Sequence, residues 1–124
     1  MLEGSCNCGA VRFEARGKVW GISACHCGQC RKQSGGVWHS AVSQQQDLQI
    51  TGEPRWYRSN PHAQRGFCAN CGTFLFWKHD DETSMSFAMG ALDAPSGRTL
   101  EKHIFVAGKG DYYEIADGVP QKEQ

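Results

Sequence analysis

Cysteine is the residue type whose number and spacing in this sequence point most clearly to chemistry. Two thiolates of a Cys-x-x-Cys turn can converge on one ion, and a following glycine can take the positive φ that wraps the backbone around the sulfurs. A Cys-x-Cys pair in an extended chain places both side chains on one face. These spacings predict that the chain binds at least one zinc ion. The cysteines fall in three clusters of this kind: Cys6-Asn7-Cys8-Gly9, Cys25-His26-Cys27-Gly28-Gln29-Cys30 and Cys68-Ala69-Asn70-Cys71-Gly72.

The number of cysteines, seven, favours metal binding over disulfide chemistry. A disulfide framework would leave one thiol over. The first residues, Met1 to Gly4, show no signal peptide and run straight into the first cluster, so we expect a cytoplasmic protein whose thiols stay reduced. Seven thiolates divide naturally into four, which close a structural zinc site, and three, which leave one coordination position open for catalysis.

Spacing alone does not decide which of the cysteine pairs join. The simplest partition keeps the second cluster together as the ligands of an open, catalytic zinc: Cys25, Cys27 and Cys30. It unites the first and third clusters in a closed, structural zinc site, which would tie the first strand to the middle of the chain: Cys6, Cys8, Cys68 and Cys71. The chain would then carry two Zn²⁺ ions.

Two other readings of the second cluster stay open at this stage. A histidine could close the trio into a second structural site, but His26 lies between two cysteines that share a face and should point the opposite way. His39 or His62 could reach the trio only through the fold. A thioredoxin-like redox role needs a βαβ pattern around the Cys-x-x-Cys turn, and the sequence has none.

The elements that position these cysteines are short strands in one domain. Alternation of apolar and polar residues is clearest from Ala10 to Arg16, and no stretch keeps helical periodicity over the length of a typical helix. Many short strands with turn signals between them predict a mainly β, sandwich- or barrel-like fold, with a domain at residues 1–118 and a flexible polar tail at 119–124. Further predicted strands are Val19 to Ala24, Val37 to Val42, Asp47 to Thr51, Arg55 to Arg58, Thr73 to Lys78, Met85 to Met89 and His103 to Val106.

Charge and hydropathy exclude two classes of partner. Thirteen basic and thirteen acidic residues cancel, and Arg31-Lys32 is the only adjacent basic pair. A nucleic-acid-binding face needs a basic patch, so we predict no nucleic-acid partner. No segment approaches the roughly 20 apolar residues that span a bilayer, so we predict no membrane partner.

The three cysteine motifs, in this order, resemble those of the glutathione-dependent formaldehyde-activating enzymes, also called the GFA or centromere-protein-V domain family. The resemblance includes Gly4 to Phe13 around the first cluster, Cys25 to Lys32 around the second and Phe67 to Gly72 around the third. Weaker matches are Gly90 to Pro95 and His103 to Val106 before Tyr112-Tyr113. It implies a β-tent fold of short antiparallel strands organised around zinc, like that of Mss4-type zinc proteins, and it implies the partition into a structural zinc and an open zinc given above.

The activity implied by the resemblance is a carbon–sulfur lyase reaction, the condensation of glutathione with formaldehyde. Zn²⁺ with three thiolates carries a net charge near minus one and suits a soft sulfur ligand better than water. We therefore expect a small-molecule thiol, with glutathione as the candidate, to add to a small carbonyl such as formaldehyde, or the reverse. The alternative is a non-catalytic zinc module that binds a thiol metabolite or a protein. The sequence carries no signal for the oligomeric state.

Several polar side chains are candidates for binding the substrate beside the open zinc. Asp93 could accept a proton, although Asp-Ala-Pro is more simply a turn. The tryptophans, together with Phe74 to Trp77, could line a pocket, although core packing is the default for such residues. Five cations could bind the carboxylates of glutathione, although such side chains are mostly exposed: Arg31, Lys32, Arg55, Arg58 and Arg65.

Overall fold

Short strands separated by turns make up most of the chain, so the prediction of a mainly β fold is confirmed. The structure is a computed structural model that describes residues 1–124. Its one α-helix is Gly28–Ser34 (α1). No helix is long and apolar enough to cross a membrane. The strands are Leu2–Ser5 (β1), Arg12–Ala15 (β2), Val19–Cys25 (β3), Trp38–Gln44 (β4), Leu48–Thr51 (β5), Arg55–Asn60 (β6), Ala63–Phe67 (β7), Phe74–His79 (β8), Ser84–Ala88 (β9) and Lys102–Ile104 (β10).

The strands form two sheets. A three-stranded sheet has the order β1-β2-β5, and a seven-stranded sheet has the order β10-β3-β4-β9-β8-β7-β6. All neighbouring strands are antiparallel except β10, which pairs in parallel with β3. Within the larger sheet, β3 ends at Cys25 of the second cluster, and β7 ends directly before Cys68 of the third.

The main core lies between the two sheets. Phe13 is buried on the central strand of the small sheet and meets Phe76 and Phe87, with ring centroids 5.5 and 5.3 Å apart. Phe76 and Phe87 face each other across β8 and β9. Burying such aromatic side chains contributes a large share of the stability of a chain this small.

The opposite face of the large sheet lies beside the second cysteine cluster. On β4 this face carries Trp38, Ser40 and Val42, because side chains two residues apart point to the same side of a strand. Across the sheet, Val42 is opposite Ser86 and Ser86 is opposite Trp77. We call this side of the large sheet the cavity face.

A β-bulge in β3 changes which side chains of this strand point to the cavity face. The register between β3 and β4 shifts between Trp20 and Ser23, where Gly21 has a φ of 65°. In a regular strand, Trp20 and Ser23 would point to opposite sides, because their spacing is odd. The bulge brings both side chains to the cavity that adjoins Cys25.

Two strands and a tail contact lie outside the sequence prediction. The pattern analysis did not predict β1 or β7, whose sequences are Leu-Glu-Gly-Ser and Ala-Gln-Arg-Gly-Phe. In the tail, the carbonyl of Pro120 accepts a hydrogen bond from His103 N–H at 2.8 Å, and Lys122 N–H donates to the His103 carbonyl at 2.9 Å. These bonds attach the tail to β10. The flexibility expected for residues 119–124 stays a prediction.

Candidate active site

The first and third cysteine clusters meet in space and form a group that we call the tetrad. The Sγ atom of Cys8 lies 3.7 Å from the Sγ atoms of both Cys6 and Cys68. Two glycines, Gly9 and Gly72, follow the pairs with a φ of 82°, as the motif predicts. All four Sγ atoms of the tetrad lie within 4.8 Å of one another: those of Cys6, Cys8, Cys68 and Cys71.

The surroundings of two cysteines of the tetrad, Cys8 and Cys71, favour the thiolate. The side-chain amide of Asn70 donates to Cys8 Sγ at 3.2 Å and lowers the pKa of Cys8. The contact of Cys71 with the Thr73 hydroxyl, at 3.2 Å, is the main cause that lowers the pKa of Cys71 to about 5. A lower pKa increases the fraction of thiolate at neutral pH, and the thiolate is the form that binds a metal ion.

The second cysteine cluster forms a separate group, the trio Cys25, Cys27 and Cys30, whose Sγ atoms also lie within 4.8 Å of one another. Cys25 is the last residue of β3, where the chain turns out of the sheet. Cys27 is the N-cap of α1, and its sulfur accepts a hydrogen bond from Cys30 N–H at 3.3 Å. The end of a strand and the first turn of a helix thus place the three sulfurs.

The three thiols of the trio cannot all ionise together without a cation. Hydrogen bonds from Cys25 and Cys30 lower the pKa of Cys27, so its thiolate forms first. Hydrogen bonding to Cys27, and then to Cys30, raises the pKa of Cys25. A positive ion at the centre would remove this conflict, because it compensates the repulsion between neighbouring thiolates.

The donor chemistry of both groups fits a soft, tetrahedral ion. Zinc–sulfur bonds of about 2.3 Å place tetrahedral sulfurs about 3.8 Å apart, close to the 3.7 Å separations in the tetrad. All seven cysteines are free thiols. Each group could therefore hold one metal ion, and thiolate donors are compatible with zinc.

A cavity of about 450 Å³ opens on the cavity face beside the trio. Its walls include the aromatic residues Trp20, Trp38, Trp77 and Phe105, so three of the four tryptophans line it. No aspartate or glutamate is among its lining residues, and its charged side chains besides the cysteines are Arg65 and Lys102. The fourth tryptophan, Trp56, stacks on Phe76 of the core instead.

Three serines line the same cavity, and two of them, Ser23 and Ser40, are buried. Ser23 on β3 and Ser40 on β4 are directly opposite each other in the antiparallel pair. Both are buried residues that line the cavity, and Ser23 lies two residues before Cys25 on the same strand. No sequence pattern indicates these serines, since their position at the cavity depends on the register of the strands.

Arg65 is the one cation of the five candidates that the structure buries beside the trio. It is 4% exposed, and its Nη1 donates to Cys30 Sγ at 3.4 Å. Arg58 lies on the surface and pairs with Asp80 at 2.9 Å, while Arg55 and Lys32 are exposed. Arg31 is half-buried in α1 and does not line the cavity.

The other candidate side chains lie away from the trio. Asp93 is exposed and pairs with Arg12 at 2.8 Å. His39 is also exposed and lines a groove on the other side of Trp38, which it shares with Asp93. His62 stacks on His79. None of these three residues lines the cavity beside the trio.

His26 points away from the trio and enters a buried polar chain. Its Nδ1 lies 2.5 Å from the Tyr113 hydroxyl, and its Nε2 lies 2.9 Å from His103 Nδ1. His103 Nε2 contacts Asp117 at 2.8 Å. Burial, with His103 alongside, lowers the pKa of His26. Both ring nitrogens of His26 therefore have partners within the protein, and sequence spacing could not have identified them.

Fold and site together define a mainly β protein with one four-cysteine and one three-cysteine group that could each hold a metal ion, the latter at a cavity. The family model described as glutathione-dependent formaldehyde-activating enzyme matches residues 1–108. The chain belongs to this family. The family resemblance stated from the motifs is thereby confirmed.

Individual relatives agree with the family assignment. A putative glutathione-dependent formaldehyde-activating enzyme of Halomonas elongata is 33% identical over 129 residues, covering 93% of this chain and 81% of the relative. An uncharacterized lyase of Schizosaccharomyces pombe is 27% identical over 122 residues, covering 93% and 85%. A crystal structure of a Rhodobacter sphaeroides protein matches with a TM-score of 0.62 and 21% identity, covering 76% of this chain and 90% of that one, and shows a similar fold.

Proposed function

We propose that the protein is a zinc-dependent carbon–sulfur lyase that adds a small thiol, with glutathione as the candidate, to a small carbonyl compound such as formaldehyde, or catalyses the reverse. The names of the family and of the Halomonas relative support glutathione and formaldehyde as substrates. The observation that carries the proposal is the three-sulfur group at the edge of a cavity. We propose that the reaction takes place in the cytoplasm, where thiols stay reduced.

Two Zn²⁺ ions per chain are part of this proposal. The tetrad would hold a structural ion with all four positions filled by protein sulfurs. Cys25, Cys27 and Cys30 would hold the catalytic ion, which when bound supplies a position for the substrate sulfur and favours its thiolate form. Cavity residues bind and orient the substrate.

The reaction forms one carbon–sulfur bond. The substrate thiolate attacks the carbonyl carbon, the electron pair of the C=O π bond moves to oxygen, and that oxygen takes up a proton. Ser23 and Ser40 are placed to donate hydrogen bonds to the oxygen as its charge develops, because both line the cavity near Cys25. The aromatic walls limit water around the reacting atoms. In the reverse direction the oxygen loses its proton and the carbon–sulfur bond breaks.

Exchange spectroscopy by NMR tests the proposal directly. Glutathione and formaldehyde form S-hydroxymethylglutathione reversibly, and catalysis should raise the exchange rate between free and adduct signals in proportion to protein concentration. Replacing Cys27 by Ser should abolish this increase, because it removes a ligand of the catalytic ion. A wild-type protein with two zinc ions that leaves the exchange rate of several thiol–aldehyde pairs unchanged would favour the non-catalytic binding module.

A further inference from the structure

Arg65 is a buried cation that has no carboxylate partner. No carboxylate lies within 4.0 Å of its guanidinium. Its Nη1 donates to Cys30 Sγ, while its Nε is buried and has no hydrogen-bond partner. An unpaired buried N–H group costs free energy, and a buried charge costs more. Such an unpaired buried group calls for an explanation, for example a bound species that supplies the missing acceptor.

The position of Arg65 in the sheet directs it to the cavity. On β7 it is opposite Trp77 of β8, and both residues line the cavity beside the trio. The guanidinium carbon lies 5.4 Å from the centroid of the Phe74 ring, a cation–π contact that restricts its motion. The guanidinium is thus held beside the sulfurs, at the wall of the cavity.

We propose that Arg65 forms a carboxylate subsite, so that the protein prefers thiols that carry a carboxylate near the sulfur. This inference rests on the proposed function, because it assigns the thiol a place at the trio. A planar guanidinium matches a carboxylate with two parallel hydrogen bonds, a geometry that lysine cannot reproduce. The cavity supports an anionic ligand, since its lining includes Lys102 and no acidic residue.

A simpler role for Arg65 would be to compensate the charge of the trio through Cys30. That role would favour every thiolate equally, whether or not it carries a carboxylate. A carboxylate subsite instead discriminates between two ligands that differ only in that group. The pair β-mercaptopropionate and its methyl ester separates the two roles, because both present the same sulfur on the same short chain.

The experiment measures the affinity of both ligands for the cobalt-substituted protein through sulfur-to-metal charge-transfer bands. We expect Arg65→Met to lower the affinity ratio of the acid to the ester by about tenfold to a hundredfold, as expected for a lost charged hydrogen bond. Comparing ratios between proteins at one pH cancels the difference in thiol pKa between the ligands. Arg65→Lys keeps the positive charge but loses the planar guanidinium that can donate two parallel hydrogen bonds. It should give an intermediate ratio of acid to ester affinity.

Arg58→Met is the matched control, because Arg58 is a surface arginine on the neighbouring strand and pairs with Asp80. It should leave the ratio unchanged. Metal content and circular dichroism verify that each variant is folded with both ions. An equal loss of affinity for acid and ester in Arg65→Met, or an unchanged ratio, would overturn the carboxylate subsite. If neither thiol changes the bands of the wild-type protein, the proposed function fails instead.

Discussion

The tetrad and the trio use the same ligand atom in two different settings. The tetrad joins residues 60 positions apart, Cys8 and Cys68, and two of its cysteines, Cys8 and Cys71, are exposed. The trio comes from one short segment, and it lies at a cavity with aromatic walls. The comparison indicates that the tetrad connects distant parts of the fold, while the trio lies where an ion bound to it would adjoin a cavity.

The difference also appears in what surrounds the sulfurs. In the tetrad, backbone N–H groups and the Asn70 amide donate to sulfur, for example from Val11 to Cys6 at 3.3 Å. In the trio, a full positive charge, Arg65, contacts the sulfur of Cys30. Neutral donors suit an ion that only holds the chain together, whereas a buried charge adds an interaction with an anionic ligand.

The largest effect should follow from breaking the tetrad. Cys71→Ser removes a ligand that links two distant segments, and the binding energy of such an ion is largely folding energy, on the order of 10 kcal/mol. We expect insoluble protein or a state without a cooperative thermal transition, measured by circular dichroism and calorimetry. A well-folded Cys71→Ser variant with unchanged thermal stability would disprove the structural role of the tetrad.

A smaller effect on stability should follow from breaking the trio. Cys27→Ser should bind about one zinc fewer and lose activity, yet lose only about 1–2 kcal/mol in its free energy of unfolding. The local segment can still chelate zinc when the chain is unfolded. Binding of that ion therefore adds little to the free energy of unfolding. The serine hydroxyl can also replace Cys27 as the cap of α1. Loss of both metals from this variant would show that the two centres are coupled.

The smallest effect should come from the tail beside the trio. Removing residues 119–124 deletes backbone bonds to β10, which include those of Pro120 and Lys122 with His103. Backbone bonds at an exposed chain end contribute at the lower end of the usual range, about 0.5 kcal/mol each, so the loss should be about 1 kcal/mol. Hydrogen exchange should become faster at His103 and stay unchanged at Gly72 near the tetrad. Rapid exchange at Lys122 in the full chain would instead support the expected flexible tail.

Much of the fold and the two cysteine groups could be predicted from the sequence because their signals are local. The strand at Ala10 to Arg16 shows period-two alternation, and β2 occupies its centre. The three short cysteine motifs predicted the candidate ligands, since a metal site draws its ligands from a few recurring spacings. Their division into two groups was the simplest partition and the one that the family resemblance implied. β7 was missed because its centre holds Arg65 and Gly66, residues that are uncommon in predicted strands.

The chemistry around the trio could not be predicted, because it depends on strand register. Arg65 would be exposed by default, and only the pairing of β7 with β8 places it beside Cys30. The bulge at Gly21 decides that Trp20 and Ser23 line the same cavity. Such contacts join residues that are distant in sequence, and a single sequence carries no pattern for them.

Cobalt substitution followed by titration with glutathione is the measurement that tests most directly whether the trio is open and the tetrad closed. Glutathione should intensify the sulfur-to-metal charge-transfer bands, whereas S-methylglutathione should not, because it cannot form a thiolate. Affinity should increase as the pH rises towards the thiol pKa of about 8.5, since coordination releases a proton. Cys27→Ser should keep the tetrad bands and lose the response. Equal spectra and affinities for glutathione and its S-methyl analogue would contradict an open thiol-binding centre.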